Sequence, residues 1–304
     1  MIQKDLRPLL DSKQALAKVL DQLRDHPMHL PSSKALLPFA RRSLGVEPKQ
    51  EREWYRQAWW GYYASLLVRK RLRQGKLDEV MALVEPIDWQ PLDSALQSGN
   101  GALLVTAHIG LSRLCVACAE QSDYPVVRIH AGKSGQREQQ GAILPVTTAA
   151  QRKTSLVKSM THLRRGGVII CAPDGRYGEN FFATRFLGQD VKMFSGLGEL
   201  AKITRSPTLW FTASWVGDKR IRLSLERLEV QADASADDWN EQWYKAYLGH
   251  LAGQLRSNAA DLGLRKGLWQ TAKGGVDWYH ASSAQRAVSS GKKYLRKFRK
   301  LLAH

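Results

Sequence analysis

Residues 99–110 read Gly-Asn-Gly-Ala-Leu-Leu-Val-Thr-Ala-His-Ile-Gly. A turn-forming Gly/Asn cluster opens the stretch, and a short unbroken apolar run follows, the mark of a strand buried on both faces. At its end the run delivers His108 and a glycine. Similar runs recur at Pro125–Ile129, Ala142–Val146, Gly167–Ala172 and Pro207–Ser214. Helical segments fall between them, near residues 110–121, 151–164 and 194–204. Strands alternating with helices predict an α/β fold, a mostly parallel central sheet flanked by helices. Lys219–Val230 reads as a further, partly exposed strand, and Asp237–Ser257 as a long helix.

Working outward, the first 75 residues read as helical. Residues 4–24 place Leu6, Leu9, Leu10, Leu16, Val19, Leu20 and Leu23 at three- and four-residue steps. A break with Pro27, Pro31 and Ser32 precedes Ser33–Leu44, and then comes a helix from Glu51 to Arg73. That helix carries Trp54, Tyr55, Trp59, Trp60, Tyr62 and Tyr63, more aromatics than a surface helix needs. Burial against the sheet explains them; an aromatic groove for an apolar chain, or a membrane-facing patch, is the other reading.

At the far end, residues 284–304 set Val288, Gly291, Leu295, Phe298, Leu301 and Leu302 on one helical face. Lys292, Lys293, Arg296, Lys297, Arg299 and Lys300 occupy the rest. Such a basic amphipathic helix suits an anionic membrane surface, each cation contributing about 1 kcal/mol there. A solvated surface helix has the same pattern. The expected organisation is an N-terminal helical extension packing on the core (1–75), an α/β domain (76–260) and a C-terminal segment (261–304).

The 304 residues are 43% apolar and 24% charged, a globular balance. Forty-six Lys and Arg against 28 Asp and Glu leave +18, which points to an anionic partner. Phospholipid surface, acidic carrier protein and nucleic acid all qualify by charge. No nucleic-acid reading motif supports the last, so no nucleic acid is expected. Three cysteines, Cys115, Cys118 and Cys171, are too few for a disulfide framework and suggest a reducing compartment. No run reaches the roughly 18–20 apolar residues of a membrane span. The opening MIQKDLRPLLDSKQ has no apolar signal core. Secreted and integral-membrane classes are therefore not expected.

In an open α/β sheet, ligands bind in the crevice beyond the carboxyl ends of the strands, which is where His108 falls. A second strand end, Gly166–Gly178 (GGVIICAPDGRYG), brings Asp174 and Arg176. FFATRFLGQD (181–190) and GLGELAKITRSPTLWF (196–211) follow. In order and spacing these segments resemble the bacterial lipid A late acyltransferase branch of the lysophospholipid acyltransferase superfamily, over roughly residues 50–230. PDGRYG stands where that family has a Pro-Asp-Gln turn, and TRFLG stands for its Phe-Phe-Gly segment.

The resemblance implies a mechanism. Family members carry a His followed after four residues by Asp or Glu. The histidine takes a proton from the acceptor hydroxyl, the carboxylate orients it, and the alkoxide attacks an acyl thioester. Backbone N–H groups or an Arg would hold the oxyanion. The donor is an acyl group on the phosphopantetheine of an acyl or peptidyl carrier protein, or on coenzyme A; no metal and no resident cofactor is expected. The implied acceptor is an anionic lipid, and the implied place the cytoplasmic face of the inner membrane, held peripherally by the C-terminal helix or the aromatic patch around Trp59.

The chain departs from the family at the acid. Where the pattern expects a carboxylate, His108-Ile-Gly-Leu-Ser-Arg113 ends in a guanidinium. Three explanations are open. Another acid serves, Asp174 first, then Glu199 and Glu179. Alternatively the transferred group differs, as in an offshoot that moves an amino acid such as glycine from a carrier protein onto lipid A, with Arg113 binding a carboxylate or phosphate. In the third, the site is inert and the chain is a lipid- or carrier-binding relative. Asp174 also reads as a plain turn-former before Gly175.

Arg113, Arg176, Arg185 and Lys133 are the candidate substrate-binding cations. The loop Arg128–Glu138 keeps positive charge at Lys133 and Arg137 where the family has an Arg-Pro-Asn-like segment. Cys115-x-x-Cys118 lacks a second pair and reads as core. Lys158, Arg164 and Arg165 share one helix and suit an acidic carrier helix as well as a solvated face.

Overall fold

β1 (Ala102–Val105) is buried at all four positions. It lies inside a six-stranded sheet ordered β3-β2-β4-β1-β7-β8, in a computed structural model that describes residues 6–26, 36–130, 142–175, 181–194, 196–217, 219–231 and 235–262. The companions are β2 (Val126–His130), β3 (Ala142–Pro145), β4 (Val168–Cys171), β7 (Thr208–Val216) and β8 (Arg220–Arg227). β1 pairs in parallel with β4 and β7, and β2 in parallel with β3 and β4; only β8 runs antiparallel, against β7. The α/β architecture expected from the buried runs is the architecture observed. β4 is buried throughout, but β2 and the edge strand β3 are largely half-buried. An edge strand has one neighbour, and short apolar stretches do not reveal which strand will be at the edge.

Handedness sets the layers. β1→β2 moves one way across the sheet, while β3→β4 and β4→β7 move the other. Right-handed crossovers then put the first connecting helix and the later two on opposite faces. α7 (Ser112–Glu120) accordingly packs with α4 (Glu51–Arg73), while α8 (Ala149–Arg164) and α10 (Ala236–Ser257) flank α9 (Gly196–Thr204) on the other side. Side chains alternate along β7. Thr208 and Thr212 meet Trp243 and Gln254 of α10, and Phe211 and Trp215 meet Trp89 and Trp60 on the α4 face.

The N-terminal helices and the sheet share one hydrophobic core. The leucine pattern of residues 4–24 becomes two helices, α1 (Arg7–Leu10) and α2 (Leu16–Asp25). Their junction is held by the buried Arg71, which donates to the carbonyls of Ser12 and Gln14. α3 (Leu36–Phe39) and a π-type turn at Ala40–Leu44 lead to α4, whose limits match the sequence reading. Trp54, Tyr55, Trp59, Trp60, Tyr62 and Tyr63 are all buried, Trp59 at 3% exposure. The aromatic patch around Trp59 is thus core and not a membrane-facing surface: α4 is packed between α2, α7 and the 3₁₀ turn Ala259–Asp261.

Two short helices, α5 (Leu77–Met81) and α6 (Gln90–Leu96), and an antiparallel hairpin, β5 (Phe181–Phe186) with β6 (Gln189–Phe194), have no counterpart in the sequence reading. The hairpin turns through Leu187 (φ 50) and Gly188 (φ 77), two left-handed residues of which only the glycine is typical. Among the described residues no helix is long and apolar enough to cross a membrane. The basic segment 284–304 lies outside the described residues.

Candidate active site

Beyond Val105 the ladder continues for one bond, Thr106 N–H to the Cys171 carbonyl at 2.9 Å, and then the chain leaves the sheet. Two links fix this strand end. Tyr247 of α10 donates its hydroxyl to the Thr106 carbonyl at 3.2 Å. The turn Ala259–Asp261 wedges between α4 and the His108 loop: a Cβ on Gly61 would come within 2.0 Å of the Ala260 carbonyl oxygen, and one on Gly110 within 2.8 Å of the Asp261 carbonyl oxygen. Only glycine permits both approaches.

On the adjacent strand, β4 ends in a tight turn closed by Gly175 N–H to the Ala172 carbonyl at 3.0 Å. Pro173 and Asp174 occupy its two central positions, where proline pre-sets φ. The turn faces the end of β1 because Val105 and Cys171 are register partners. Asp174 accepts the His108 backbone N–H at 2.8 Å through Oδ2, and Oδ1 lies 2.8 Å from His108 Nδ1. Its carboxylate is 1% exposed and the imidazole 35% exposed. A carboxylate accepts only, so Nδ1 is the donor in this bond, and in the neutral ring Nε2 then keeps its lone pair. The buried acid thereby holds one tautomer in one orientation, with a charge ready to stabilise the imidazolium.

Among the candidate site residues, the structure brings together His108 and Asp174. Asp174 is both turn-former and partner of the imidazole. Glu199 is exposed on α9 and accepts from Asn240 of α10 at 3.5 Å, so it is Asp174 that meets the ring. Arg113 is exposed on the first turn of α7, where its charge, with that of Arg128, opposes the rise that burial imposes on the Glu120 carboxyl. Arg185 is exposed on β5 and donates to the Gly188 carbonyl across the hairpin turn. Lys133, Arg176 and Glu179 lie outside the described residues.

The cysteines are poor nucleophiles here. Burial pushes Cys118 and Cys171 up to about 12 and raises Cys115 further, so the thiols stay neutral. Cys115 and Cys118 are packed in the core, as their spacing suggested. Among the described residues no cluster of His, Cys, Asp and Glu has the make-up of a metal site.

Sequence reading did not single out Tyr247, Gln254 or Asp261, which brace the site. Gln254 accepts from Thr212 Oγ1 at 2.6 Å and donates to Asp261 Oδ2 at 3.2 Å; Asp261 Oδ1 accepts from Trp215 N–H at 3.1 Å. Asp261 is fully buried, and desolvation, opposed by these hydrogen bonds, raises its pKa to about 6. One signal was available: an aspartate set in the apolar run Ala259–Leu262.

No protein-family model matches the chain, and no curated protein matches it significantly.

Proposed function

We propose that the protein is a transferase that moves an acyl group from a thioester donor to a hydroxyl or amine of an amphiphilic, anionic acceptor. The observation that carries this reading is the double engagement of His108 by Asp174, at a strand end where α/β sheets bind ligands. His108 Nε2 takes the acceptor proton as the oxygen or nitrogen attacks the thioester carbonyl. The tetrahedral intermediate collapses, its carbon–sulfur bond breaks, and the imidazolium returns the proton to the leaving thiolate. Asp174 stabilises the imidazolium between the two steps. The neutral cysteines support direct transfer over an acyl-cysteine intermediate.

The resemblance to the lipid A late acyltransferases supplies the donor class, phosphopantetheine on a carrier protein or coenzyme A, and the lipid acceptor. It also supplies the setting, the cytoplasmic surface of the inner membrane. The His108–Asp174 pair favours a working base over an inert binding relative, and Arg113 is then released from the acid's role. The test is release of thiol from an acyl-coenzyme A by the purified full chain, with and without an amphiphilic acceptor. The expected result is slow hydrolysis, lost in His108→Ala with fold retained; equal rates in both proteins would overturn the reading.

A further inference from the structure

Among the described residues, the large hydrophobic side chains that stand exposed are Leu156 (45%), Val157 (58%) and Ile203 (56%). All three lie on α8 and α9, two helices in contact on one face of the sheet. Helix geometry brings them to one groove. Leu163, whose backbone abuts Gly101 at the start of β1, marks the side of α8 turned toward β1 and α9. Leu156 is two turns earlier on that same side, with the half-buried Met160 between them. On α9, Gly198 and Lys202 face α10, the first against Asn240 and the second over the Trp239 ring at 5.9 Å. Ile203 is one residue further round, on the flank that borders α8. Leu156, Met160 and Ile203 therefore line the α8–α9 groove, with Val157 on its outer lip.

The rim is basic. α8 contains no Asp or Glu from end to end, and it presents Lys153 and Arg164 on the exposed side next to Leu156 and Met160, while Lys158 and Arg165 are exposed on its other side. Arg205 is exposed beyond the end of α9, and Glu199 is the only acid on that helix. A solvated helix needs no exposed aliphatic groove at its centre; an apolar floor inside a charged rim is the anatomy of a docking surface.

We propose that the α8–α9 groove receives an amphipathic helix of a partner protein, apolar on one face and rich in Asp and Glu on the other. The groove between two packed helices fits a third helix, read through anchors at i, i+3, i+4 and i+7. Charge decides against the alternatives within this chain: residues 284–304 are basic, and a second copy carries +18. The exposed residues are aliphatic, without the aromatic side chains that anchor an interfacial surface in a bilayer. This surface alone carries the docking proposal. Joined to the transfer reading, it makes the partner the protein that delivers the thioester.

The probe is a labelled peptide of about four helical turns, with Leu at i, i+3, i+4 and i+7 and Glu elsewhere, titrated with the full chain by fluorescence anisotropy. A scrambled peptide of the same composition reports charge attraction alone. We expect the amphipathic peptide to bind at least about tenfold tighter than the scrambled one. Val157→Glu and Lys153→Glu, both on exposed positions, should each weaken it by about tenfold, and added salt should weaken it further. His108→Ala should bind as the parent does, so failure of the transfer chemistry and failure of docking are separable. Equal affinity for the two peptides, or indifference to Val157→Glu and Lys153→Glu, overturns the proposal. So does binding to phosphatidylcholine/phosphatidylglycerol vesicles that the same substitutions abolish while neither peptide binds, which assigns the face to a lipid surface.

Discussion

Replacing Asp174 by Asn removes a charge and little volume, and the geometry fixes what must follow. The carboxylate now satisfies two donors of the same residue, the backbone N–H and Nδ1–H of His108, both at 2.8 Å. An amide has one oxygen. If that oxygen keeps the backbone N–H, its NH₂ faces Nδ1, and the imidazole must move its proton to Nε2 to accept there. Nε2 then has no lone pair for the acceptor. If the amide turns over, the backbone N–H at the strand end loses its acceptor, a cost of about 1–3 kcal/mol for a buried donor. Either way the imidazolium loses a buried counter-charge. In the serine proteases, the same carboxylate-to-amide change beside the catalytic histidine lowers turnover about 10⁴-fold. A partly exposed ring has water to help stabilise its charge, so a loss of about 10²–10³ in kcat is expected, or about 3–4 kcal/mol. Thiol release from acyl-coenzyme A measures it, with circular dichroism to confirm that the variant is folded. A folded Asp174→Asn protein turning over within about threefold of the parent would refute the dyad.

Other predictions bear on neighbouring features. Glu199→Gln should leave turnover within about twofold, because that carboxylate is exposed and bonded to Asn240; a loss matching Asp174→Asn would move the acid's role to α9. Gly61→Ala should lower Tm by several degrees, since its methyl would meet the Ala260 carbonyl oxygen at 2.0 Å and overpacking of this kind costs about 1–3 kcal/mol. An unchanged melting curve would show that the turn at 259–261 gives way freely. Asp261 has its pKa raised from 3.8 to about 6, so the folded state holds that proton more tightly than the unfolded chain. Its stabilising contribution is complete below about pH 4 and is lost as pH rises through about 6, by about 3 kcal/mol. Urea unfolding at pH 4 and pH 7 should show that loss in the parent relative to Asp261→Asn; a parent–variant difference equal at both pH values would contradict it.

The parts of the fold that could be read from the chain are those whose burial is written in consecutive residues. Ala102–Val105 and Val168–Cys171 are buried strands because every side chain in them is apolar, whichever face it takes. The Phe181–Phe194 hairpin escaped because its turn uses Leu187 in a left-handed conformation and lacks an Asn-Gly or Asp-Gly signature. Of the site, His108 and Asp174 were legible as residues at strand ends, since such ends converge in open α/β sheets. That β4 inserts directly beside β1, with β2 displaced one place outward, is a property of the strand order. It brings the turn carrying Asp174 against His108, whereas Glu199 sits within α9 and meets Asn240 instead. The aromatics of α4 were ambiguous for a similar reason: density of rings announces burial or exposure to lipid, and only the helices packed around it decide.

The wedge at Ala259–Asp261 ties distant stretches of chain into one cooperative unit. It touches Gly61 of the N-terminal helical layer on one side and Gly110 of the loop carrying the imidazole on the other. Loosening α4 therefore slackens the backbone that aims His108, with the turn as the go-between. Fraying of the early helices and decay of the reactive geometry should report a common opening event, with matching hydrogen-exchange protection at both places.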